Sequence, residues 1–277
     1  MSNIPIAFIG GGNIARSLIA GLIADGHHPQ ALTVSDPDHA KTEALVTRFG
    51  IVQAASNAAA LKGAEVVVLC VKPQLAHQVC GELAAALSQP APLLISVMAG
   101  VTESSLQQWL KRPQALVRAM PNTPMLVQSG AIGLYANALT NASQRNLAEE
   151  ILRTGGLTRW VDHERDIDAV TAISGSGPAY FLLFMEALEA AGIEQGLTPE
   201  TARLLAIQTA LGAARMAVES DESPEQLRAR VTSPGGTTES AIRTFEEGAM
   251  TALVAQAVTA ARLRAEELSK LFAEDQA

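Results

Sequence analysis

Cysteine and clustered positive charge are both scarce in this sequence. The two cysteines, Cys70 and Cys80, match no zinc or redox spacing, so we expect buried thiols in a reducing compartment and no metal site. The net charge is −8, and no run of Lys or Arg occurs. A nucleic-acid partner is therefore not expected, because binding to a phosphate backbone needs clustered cations.

Signals for secretion and for membrane insertion are also lacking. Residues 2–5 carry no basic charge, so no signal peptide is expected. The most membrane-like segment, residues 169–193, contains two serines, a proline and two glutamates, which predicts a buried helix rather than a membrane span. The expected location is the cytoplasm, without a membrane partner.

Side chains suited to acid catalysis are missing from the second half. All five histidines lie at or before His163, and every lysine except Lys270 lies at or before Lys111. If this half binds the substrate, a proton must come from a hydroxyl, a carboxyl group or water. That argues against carbonyl reduction and fits reduction of an already protonated imine. The alternative is an acid in the first half, at Lys72 or a histidine.

The composition is that of a folded chain with a large core. The chain has 277 residues, of which 48% are hydrophobic and 17% charged, which suits one or two domains. Apolar runs predict a sheet of roughly eight strands, including residues 4–9, 31–34, 65–71, 93–98, 115–120, 130–135 and 157–161. We expect an α/β protein, with a doubly wound sheet over residues 1–162 and an all-α domain over 163–277.

A glycine-rich loop follows the first predicted strand. Residues 10–15 match the G-x-G-x-x-A pattern of dinucleotide binding and open a helical pattern. Gly10 would permit the tight turn, and Gly12 the close approach of a pyrophosphate. Asn13 and Ile14 are also expected to bind the cofactor, and Ala15 would let the helix pack on its strand. This context predicts a Rossmann-type cofactor domain.

The end of the second predicted strand bears on the choice between NAD and NADP. Asp36 could accept hydrogen bonds from the free ribose hydroxyls of NAD. Ser35 could instead donate to the 2′-phosphate of NADP, with His39 or Lys41 to neutralise it. Asp36 or Asp38 could also simply cap the helix that starts near Pro37. The sequence leaves the cofactor choice open.

Three further strands end in loops at the carboxyl edge of the predicted sheet, where doubly wound folds bind their ligands. These loops are residues 71–74, with Val71, Lys72 and Pro73, residues 98–102, with Ala99 and Gly100, and residues 121–124. We expect them to line the nicotinamide half of the cofactor. Each alone could be an ordinary turn, and Lys72 could be merely solvated.

The second half is predicted to be helical. The expected helices are residues 179–195, 199–220, 224–231 and 237–272, the last interrupted at Gly248. Residues 204–214 are apolar nearly all round, which predicts burial in the interface of a homodimer. The glycine-rich loop at 172–180 permits close approach of either a ligand or a neighbouring helix.

The polar loop at residues 231–238 opens the last helix. Gly235 and Gly236 let several backbone amides converge on one point, and the helix start adds a positive dipole end, which suits a carboxylate. Ser233, Thr237 and Thr238 add three hydroxyls. The alternative is an ordinary capped helix start after a Pro-Gly turn.

These motifs closely resemble those of the pyrroline-5-carboxylate reductase family, over nearly the whole chain and in order. The residues that carry the resemblance are 10–15, 71–74, 99–102, 120–124, 174–180 and 233–238. The resemblance implies hydride transfer from NAD(P)H to 1-pyrroline-5-carboxylate, giving L-proline in the last step of proline biosynthesis. NADPH is the expected cofactor and NADH the second option. It also implies a homodimer with intertwined helical domains, with a decamer of five dimers as a further assembly.

Individual residue roles follow from the same resemblance. The residues implied to hold the substrate carboxylate are Ser233, Gly235, Gly236, Thr237 and Thr238. Thr238 would also hydrogen-bond the ring nitrogen, as the catalytic residue. Asn57 would lie near the adenosine ribose, and residues 71–73 would line the cofactor.

Two other classes of protein stay open. Another two-domain reductase, acting on an imine or a hydroxyacid, would share the first half. Hydroxyacid enzymes place a lysine on the interdomain helix, and residues 179–185 contain none. A non-catalytic nucleotide-sensing module would need no polar glycine loop in the helical half, and it should bind the cofactor without oxidising it.

Overall fold

The computed structural model of the chain describes residues 3–87 and 90–274. By packing, the chain divides into two units: one contains the residues up to 176 together with the end of the chain from 261, and the other contains 177–260. The first unit contains a β-sheet and the second is helical. The predicted fold class, an N-terminal Rossmann-type α/β domain followed by helices, is confirmed.

A mixed sheet forms the centre of the first unit. Within the described residues it has eight strands in the order β3-β2-β1-β4-β5-β6-β7-β8. Their bounds are β1 Ile6–Ile9, β2 Leu32–Ser35, β3 Val52–Gln53, β4 Val66–Leu69, β5 Leu93–Ser96, β6 Leu116–Met120, β7 Gly130–Ala136 and β8 Gly156–Trp160. The order reverses between β1 and β4, and the carboxyl ends of strands at such a point form the ligand crevice of doubly wound folds.

The central strands are apolar because helices cover both faces of the sheet. Every residue of β1, β4 and β5 is buried, as in parallel sheets with two covered faces. Since side chains alternate along a strand, Ile6 and Phe8 enter one hydrophobic core, and Ala7 and Ile9 enter the other. The glycine loop is therefore attached to a rigid strand.

Helices surround the sheet and form the second unit. Those that begin in the first unit are α1 Asn13–Ala24, α2 His39–Phe49, α3 Asn57–Ala60, α4 Ala76–Ala86, α5 Glu103–Leu110, α6 Ala142–Arg153 and α7 Asp166–Val170. The remaining ones are α8 Gly177–Glu194, α9 Pro199–Glu219, α10 Pro224–Arg230, α11 Thr237–Glu247 and α12 Met250–Glu274. Short 3₁₀ turns lie at Pro29–Ala31, Pro73–Leu75 and Thr123–Val127.

One strand runs against the others. β7 pairs with β6 antiparallel, whereas all other pairs are parallel. The connection between them is the 3₁₀ turn Thr123–Val127 and a few flanking residues. Such a connection is too short for the crossover that a parallel pair would need.

The stretch predicted as a glycine-rich loop at 172–180 is helical except for a bend at Ser176, so that prediction is wrong. A π-helical turn at Thr171–Gly175 separates α7 from α8. A Cβ on Gly175 would lie 2.7 Å from Cε of Met120, and the Asn122 amide nitrogen donates to the carbonyl oxygen of Ser174 over 2.9 Å. At Gly175 the missing side chain therefore serves close packing.

The packing units differ from the division of the sequence at residue 162. The sheet ends at Trp160, but α7 and the π-helical turn belong with the sheet unit, as does the chain from residue 261. The functional division into a cofactor domain over 1–162 and a substrate and dimerisation domain over 163–277 stays a prediction.

The helix α8 is exposed in the single chain, contrary to the prediction of a buried helix. Only Gly177 of its residues is buried, and the side chains of Phe181 and Leu183 are 70% and 66% exposed. Among the described residues, the continuous stretch Asp166–Glu194 is long and apolar enough to cross a membrane by length and composition alone, which is weak evidence for a span.

Candidate functional site

The glycine loop after β1 has two glycines in different structural roles. Gly10 has a φ of +99°, and a Cβ there would lie 2.7 Å from the carbonyl oxygen of Cys70. Gly12 is the N-cap of α1 with a φ of −73°, and no atom lies within 4 Å of the position that its Cβ would take. No side chain caps α1, so the amides at its start face open space and fit a pyrophosphate.

The first residues of α1 point in different directions. Asn13 is exposed, Ile14 is half-buried against the core and Ala15 is fully buried. The small side chain of Ala15 lets the helix approach the sheet. Asn13 is the one of these three that a ligand at the loop can contact most directly.

Asp36 lies just after β2 and reaches the glycine loop. Its Oδ2 accepts a hydrogen bond from the amide of Gly11 over 2.8 Å, and its Oδ1 accepts one from the amide of Asp38 over 2.9 Å. The Nζ of Lys41 is 3.9 Å from Asp36 Oδ1 and 3.3 Å from Asp38 Oδ2. The sequence did not indicate that this carboxylate binds the middle glycine of the loop.

Ser35 and Asn57 form a hydrogen-bonded pair beside Asp36. The hydroxyl of Ser35 is buried and donates to Oδ1 of Asn57 over 2.9 Å. The Nδ2 of Asn57 donates to Oε2 of Glu82, in α4, over 2.9 Å. Glu82 was missed by the sequence analysis, because no local motif links residues 57 and 82.

The loops after β4 and β5 differ in their surroundings. Lys72 is exposed at the N-cap of the turn Pro73–Leu75, next to half-buried Val71. Gly100 has a φ of +74°, and a Cβ there would lie 3.1 Å from the ring of Phe272 in α12. Ala99 and Gly100 are half-buried. Hence the second loop is packed under the end of α12, whereas Lys72 is free to meet a ligand.

The polar loop of the second unit ends in the N-terminus of α11. Gly235 has a φ of +71°, and its amide donates to Oε2 of Glu239 over 2.7 Å. Gly236 is the N-cap, and no side chain caps the helix. The amides of the first turn thus remain available to an anion. Glu239 shows that one amide of the loop already binds a carboxylate.

The three hydroxyls predicted for this loop are all accessible. Ser233, Thr237 and Thr238 are exposed, and within the described part of the chain none of the three hydroxyls forms a hydrogen bond. They lie together with the open amides of α11 at one helix start. This arrangement can bind a small carboxylate with both amide and hydroxyl donors.

The two thiols are buried, and the described residues contain no candidate metal cluster. Burial raises the pKa of Cys80 to about 12 and also raises the pKa of Cys70, so both thiols stay protonated and poorly nucleophilic at neutral pH. In residues 3–87 and 90–274, no group of three or more His, Cys, Asp or Glu side chains could hold a metal ion.

Taken together, the fold and these loops define a dinucleotide-dependent oxidoreductase of the two-domain class. Two family models match the chain: pyrroline-5-carboxylate reductase dimerisation over residues 164–268, and NADP oxidoreductase, coenzyme F420-dependent, over residues 5–100. The first of these covers much of the helical part, so the chain carries a domain that associates with other subunits.

Known proteins narrow the class to one family. The chain is 50% identical over 270 residues to a pyrroline-5-carboxylate reductase of Pseudomonas aeruginosa, with 98% of each chain covered. It is similar to the structure of such a reductase from Coxiella burnetii, with 48% identity, a TM-score of 0.93, and 96% and 99% of the two chains covered. The Plasmodium falciparum enzyme, solved with NADP bound, is 30% identical, with a TM-score of 0.84 over 97% and 99% of the chains.

The chain belongs to the pyrroline-5-carboxylate reductase family. The family, the fold class and the activity predicted from the sequence, a reductase acting on a cyclic carbon–nitrogen double bond, are confirmed by these matches. The alternative of another imine or hydroxyacid reductase is not favoured. The matches leave the predicted site residues untested.

Proposed function

We propose that this chain reduces 1-pyrroline-5-carboxylate to L-proline by holding NADPH at the glycine loop and the imine at the start of α11. The observation that carries the proposal is the pair of helix starts with open amides, at α1 and at α11, neither of which has a side-chain cap. The NADP bound to the Plasmodium falciparum relative supports NADPH as cofactor, with NADH as the second option.

The cofactor is proposed to contact the carboxyl edge of the sheet. The residues proposed to bind it are Gly10, Gly12, Asn13, Ile14, Ser35, Asp36, Asn57, Val71, Lys72, Pro73, Ala99 and Gly100. Gly12 leaves space for the pyrophosphate. Ser35, Asp36 and Asn57 surround the adenosine ribose, and exposed Lys72 is placed to meet a phosphate or the nicotinamide end. When bound, the reduced nicotinamide supplies a hydride.

The substrate is proposed to bind through its carboxylate. The residues that hold it are Ser233, Gly235, Gly236, Thr237 and Thr238, through backbone amides and hydroxyls. Because the amide of Gly235 donates to Glu239, a substrate carboxylate at that amide must displace the side chain of Glu239. The exposed position of Glu239 makes this displacement inexpensive.

Thr238 is proposed as the catalytic residue. Its exposed hydroxyl has no hydrogen-bond partner among the described residues, so it is free to donate to the ring nitrogen. Holding the imine at one orientation supplies most of the rate, because fixed geometry removes the entropic cost of a two-molecule encounter. A positioned donor adds stabilisation as the nitrogen becomes an amine.

Replacing Thr238 tests this role. Thr238→Ala should lower kcat by about 10- to 100-fold, since a positioned proton donor is commonly worth about 10²–10⁴ and water can partly substitute. Thr238→Ser keeps the hydroxyl and should retain most of the rate. Thr244→Ala is the matched control, because that hydroxyl lies on the same helix but is bonded to the carbonyl oxygen of Ser240. An unchanged kcat in Thr238→Ala would remove Thr238 from the mechanism.

The nucleotide-sensing alternative predicts a different result in the basic assay. Under the proposed function, adding the imine should lower the absorbance of the reduced nicotinamide, with either NADPH or NADH as cofactor. Binding of either cofactor without its oxidation would support sensing instead and would contradict the proposed function.

A homodimer is proposed as the basic assembly. Of the hydrophobic side chains in unit 177–260, only Ala202, Ala206 and Leu227 are buried in the single chain, whereas Phe181, Leu204 and others are more than half exposed. An apolar surface of this kind is typical of subunit interfaces. Light scattering would measure the dimer and would detect a decamer of five dimers. The cytoplasmic location, and the lack of nucleic-acid and membrane partners, stay predictions.

A further inference from the structure

The last turns of α12 carry an apolar face. Ala265 is buried, and Ala261, Leu268 and Phe272 are half-buried. These four residues follow one another in steps of four, three and four along the chain, which places them on one side of the helix. They belong to the same packing unit as the sheet. The end of α12 therefore packs within the sheet unit through this face.

The ring of Phe272 lies on the loop that follows β5. A Cβ at Gly100 would be 3.1 Å from both Cδ2 and Cε2 of Phe272, and 3.6 Å from Cβ of Leu268. Gly100 has a φ of +74°, a conformation that glycine adopts at little cost. Because Gly100 has no side chain of its own, the two side chains of α12 reach the backbone of the loop directly.

The two ends of this loop are fixed by other parts of the first unit. Met98 and Val101 are buried in a hydrophobic core, and the side chain of Thr102 caps α5. Between these anchors, Ala99 and Gly100 are half-buried. Since buried side chains in a close-packed core hold their positions, Ala99 and Gly100 are the part of the loop whose position depends on the contact with α12.

From these contacts we propose that Phe272 is a positioning residue for hydride transfer. Its ring, together with Leu268, holds the backbone of Ala99 and Gly100, along which the nicotinamide half of the cofactor is placed. Phe272 acts through the loop rather than on the cofactor itself. This inference rests on the proposed function, because it requires the cofactor to lie along the loop after β5.

Truncation of Phe272 should slow hydride transfer more than it weakens cofactor binding. The glycine loop and the residues proposed for the ribose are unchanged, so most contacts to the dinucleotide remain. A displaced nicotinamide reacts more slowly, since a misplacement of about 1 Å can cost about 100-fold in rate. We therefore expect Phe272→Ala to lower the rate of hydride transfer by about tenfold and to raise Kd for NADPH by no more than about threefold.

A single-turnover experiment separates positioning from a loss of folded enzyme. Enzyme mixed with less than one equivalent of NADPH would be added to saturating imine, and the absorbance of the reduced nicotinamide would be followed. The rate constant reports hydride transfer, whereas unfolded enzyme lowers only the amplitude. Slower reaction of NADPH with deuterium at C4 would verify that this step is observed. Phe272→Leu keeps an apolar side chain and should retain most of the rate. Leu271→Ala is the matched control, because this neighbouring side chain is 44% exposed.

The contact with Gly100 is tested by a double-variant cycle. Gly100→Ala places a methyl group against the Phe272 ring and should slow hydride transfer by itself. In the Phe272→Ala background the ring is gone, so the combined loss should be smaller than the product of the two single losses. Losses that simply multiply would mean that Phe272 does not act through this loop.

An unchanged rate constant in Phe272→Ala, or an equal loss in Leu271→Ala, would also overturn the inference. Should Phe272→Ala fail to fold, Leu268→Ala tests the same contact from the preceding turn, and an unchanged rate constant there has the same meaning. The wild type distinguishes the two possible failures. A wild type that does not oxidise NADPH with the imine contradicts the proposed function, whereas one that does so at a rate indifferent to Phe272 contradicts only its positioning role.

Discussion

Alanine at Gly10 should lower stability, whereas alanine at Gly12 should weaken cofactor binding, although both change the same loop. At Gly10 the φ of +99° costs an L-residue about 1–2 kcal/mol. The added Cβ would also lie 2.7 Å from the carbonyl oxygen of Cys70, a backbone atom next to β4 that the sheet holds in place. Such overpacking costs about 1–3 kcal/mol. Gly10→Ala should therefore lose roughly 2–5 kcal/mol of the free energy of unfolding.

Gly12→Ala should leave stability nearly unchanged. Its φ of −73° is open to any residue, and the new Cβ meets no atom within 4 Å. The poorer N-cap costs about 0.5–1 kcal/mol, and the reduced freedom of the unfolded chain returns about 0.4–1 kcal/mol. The methyl group, however, fills the space in which we place the pyrophosphate. Losing one amide contact to a charged phosphate, about 1.5–3 kcal/mol, raises Kd about tenfold or more.

Two measurements separate these effects. Thermal unfolding without cofactor should show a Tm several degrees lower for Gly10→Ala and little changed for Gly12→Ala. Titration with NADPH should show weakened binding for Gly12→Ala. Gly26→Ala is the control for backbone strain alone, because Gly26 has a φ of +89° and no atom near its would-be Cβ. Wild-type affinity for NADPH in Gly12→Ala would refute our placement of the pyrophosphate.

Three further predictions concern protonation, a buried ion pair and assembly. Burial lowers the pKa of His27, so the folded state takes up a proton less readily than the unfolded state. The free energy of unfolding should therefore fall as the pH drops below about 6.5. His27→Leu should flatten that part of a curve of Tm against pH. Arg118 is 5% exposed and lies 2.6 Å from Glu164, so Arg118→Met should cost about 2–4 kcal/mol in denaturant unfolding, and a second change, Glu164→Gln, should restore part of it. If adding Glu164→Gln restores none of the free energy of unfolding lost in Arg118→Met, a charge effect is contradicted. Leu183→Glu should reduce the mass found by light scattering to that of a monomer, while an unchanged mass would exclude α8 from the interface.

The sequence was informative where one short segment determines its own structure. The apolar runs of β1, β4 and β5 and the glycine pattern after β1 identified the Rossmann-type sheet, because burial on both faces leaves a continuous hydrophobic signal. β3 was not identified by itself, since its two residues are half-buried and exposed and give no pattern. The antiparallel direction of β7 was also not predicted from the sequence. It depends on the length of the connection through the 3₁₀ turn rather than on strand composition.

Contacts between distant residues account for the remaining differences. The bond from Gly11 to Asp36 and the bond from Asn57 to Glu82 each span 25 residues. Helical periodicity likewise did not indicate the π-helical turn Thr171–Gly175, in which Gly175 packs closely against Met120. At α11 the hydroxyls and glycines of the loop were predicted from the sequence, but the hydrogen bond from the Gly235 amide to the carboxylate of Glu239 was not.

The two outer strands of the sheet bear on aggregation. On one side β3 pairs with only Thr33 and Val34, so it offers little backbone to which a strand from another molecule could add. On the other side β8 carries exposed Arg159, and the ring of Trp160 is covered by the guanidinium of Arg145 at 4.1 Å. A charged side chain and a covered aromatic ring at an outer strand discourage pairing with the edge of another sheet. At high protein concentration, aggregation by pairing of sheet edges from different molecules should therefore be slow.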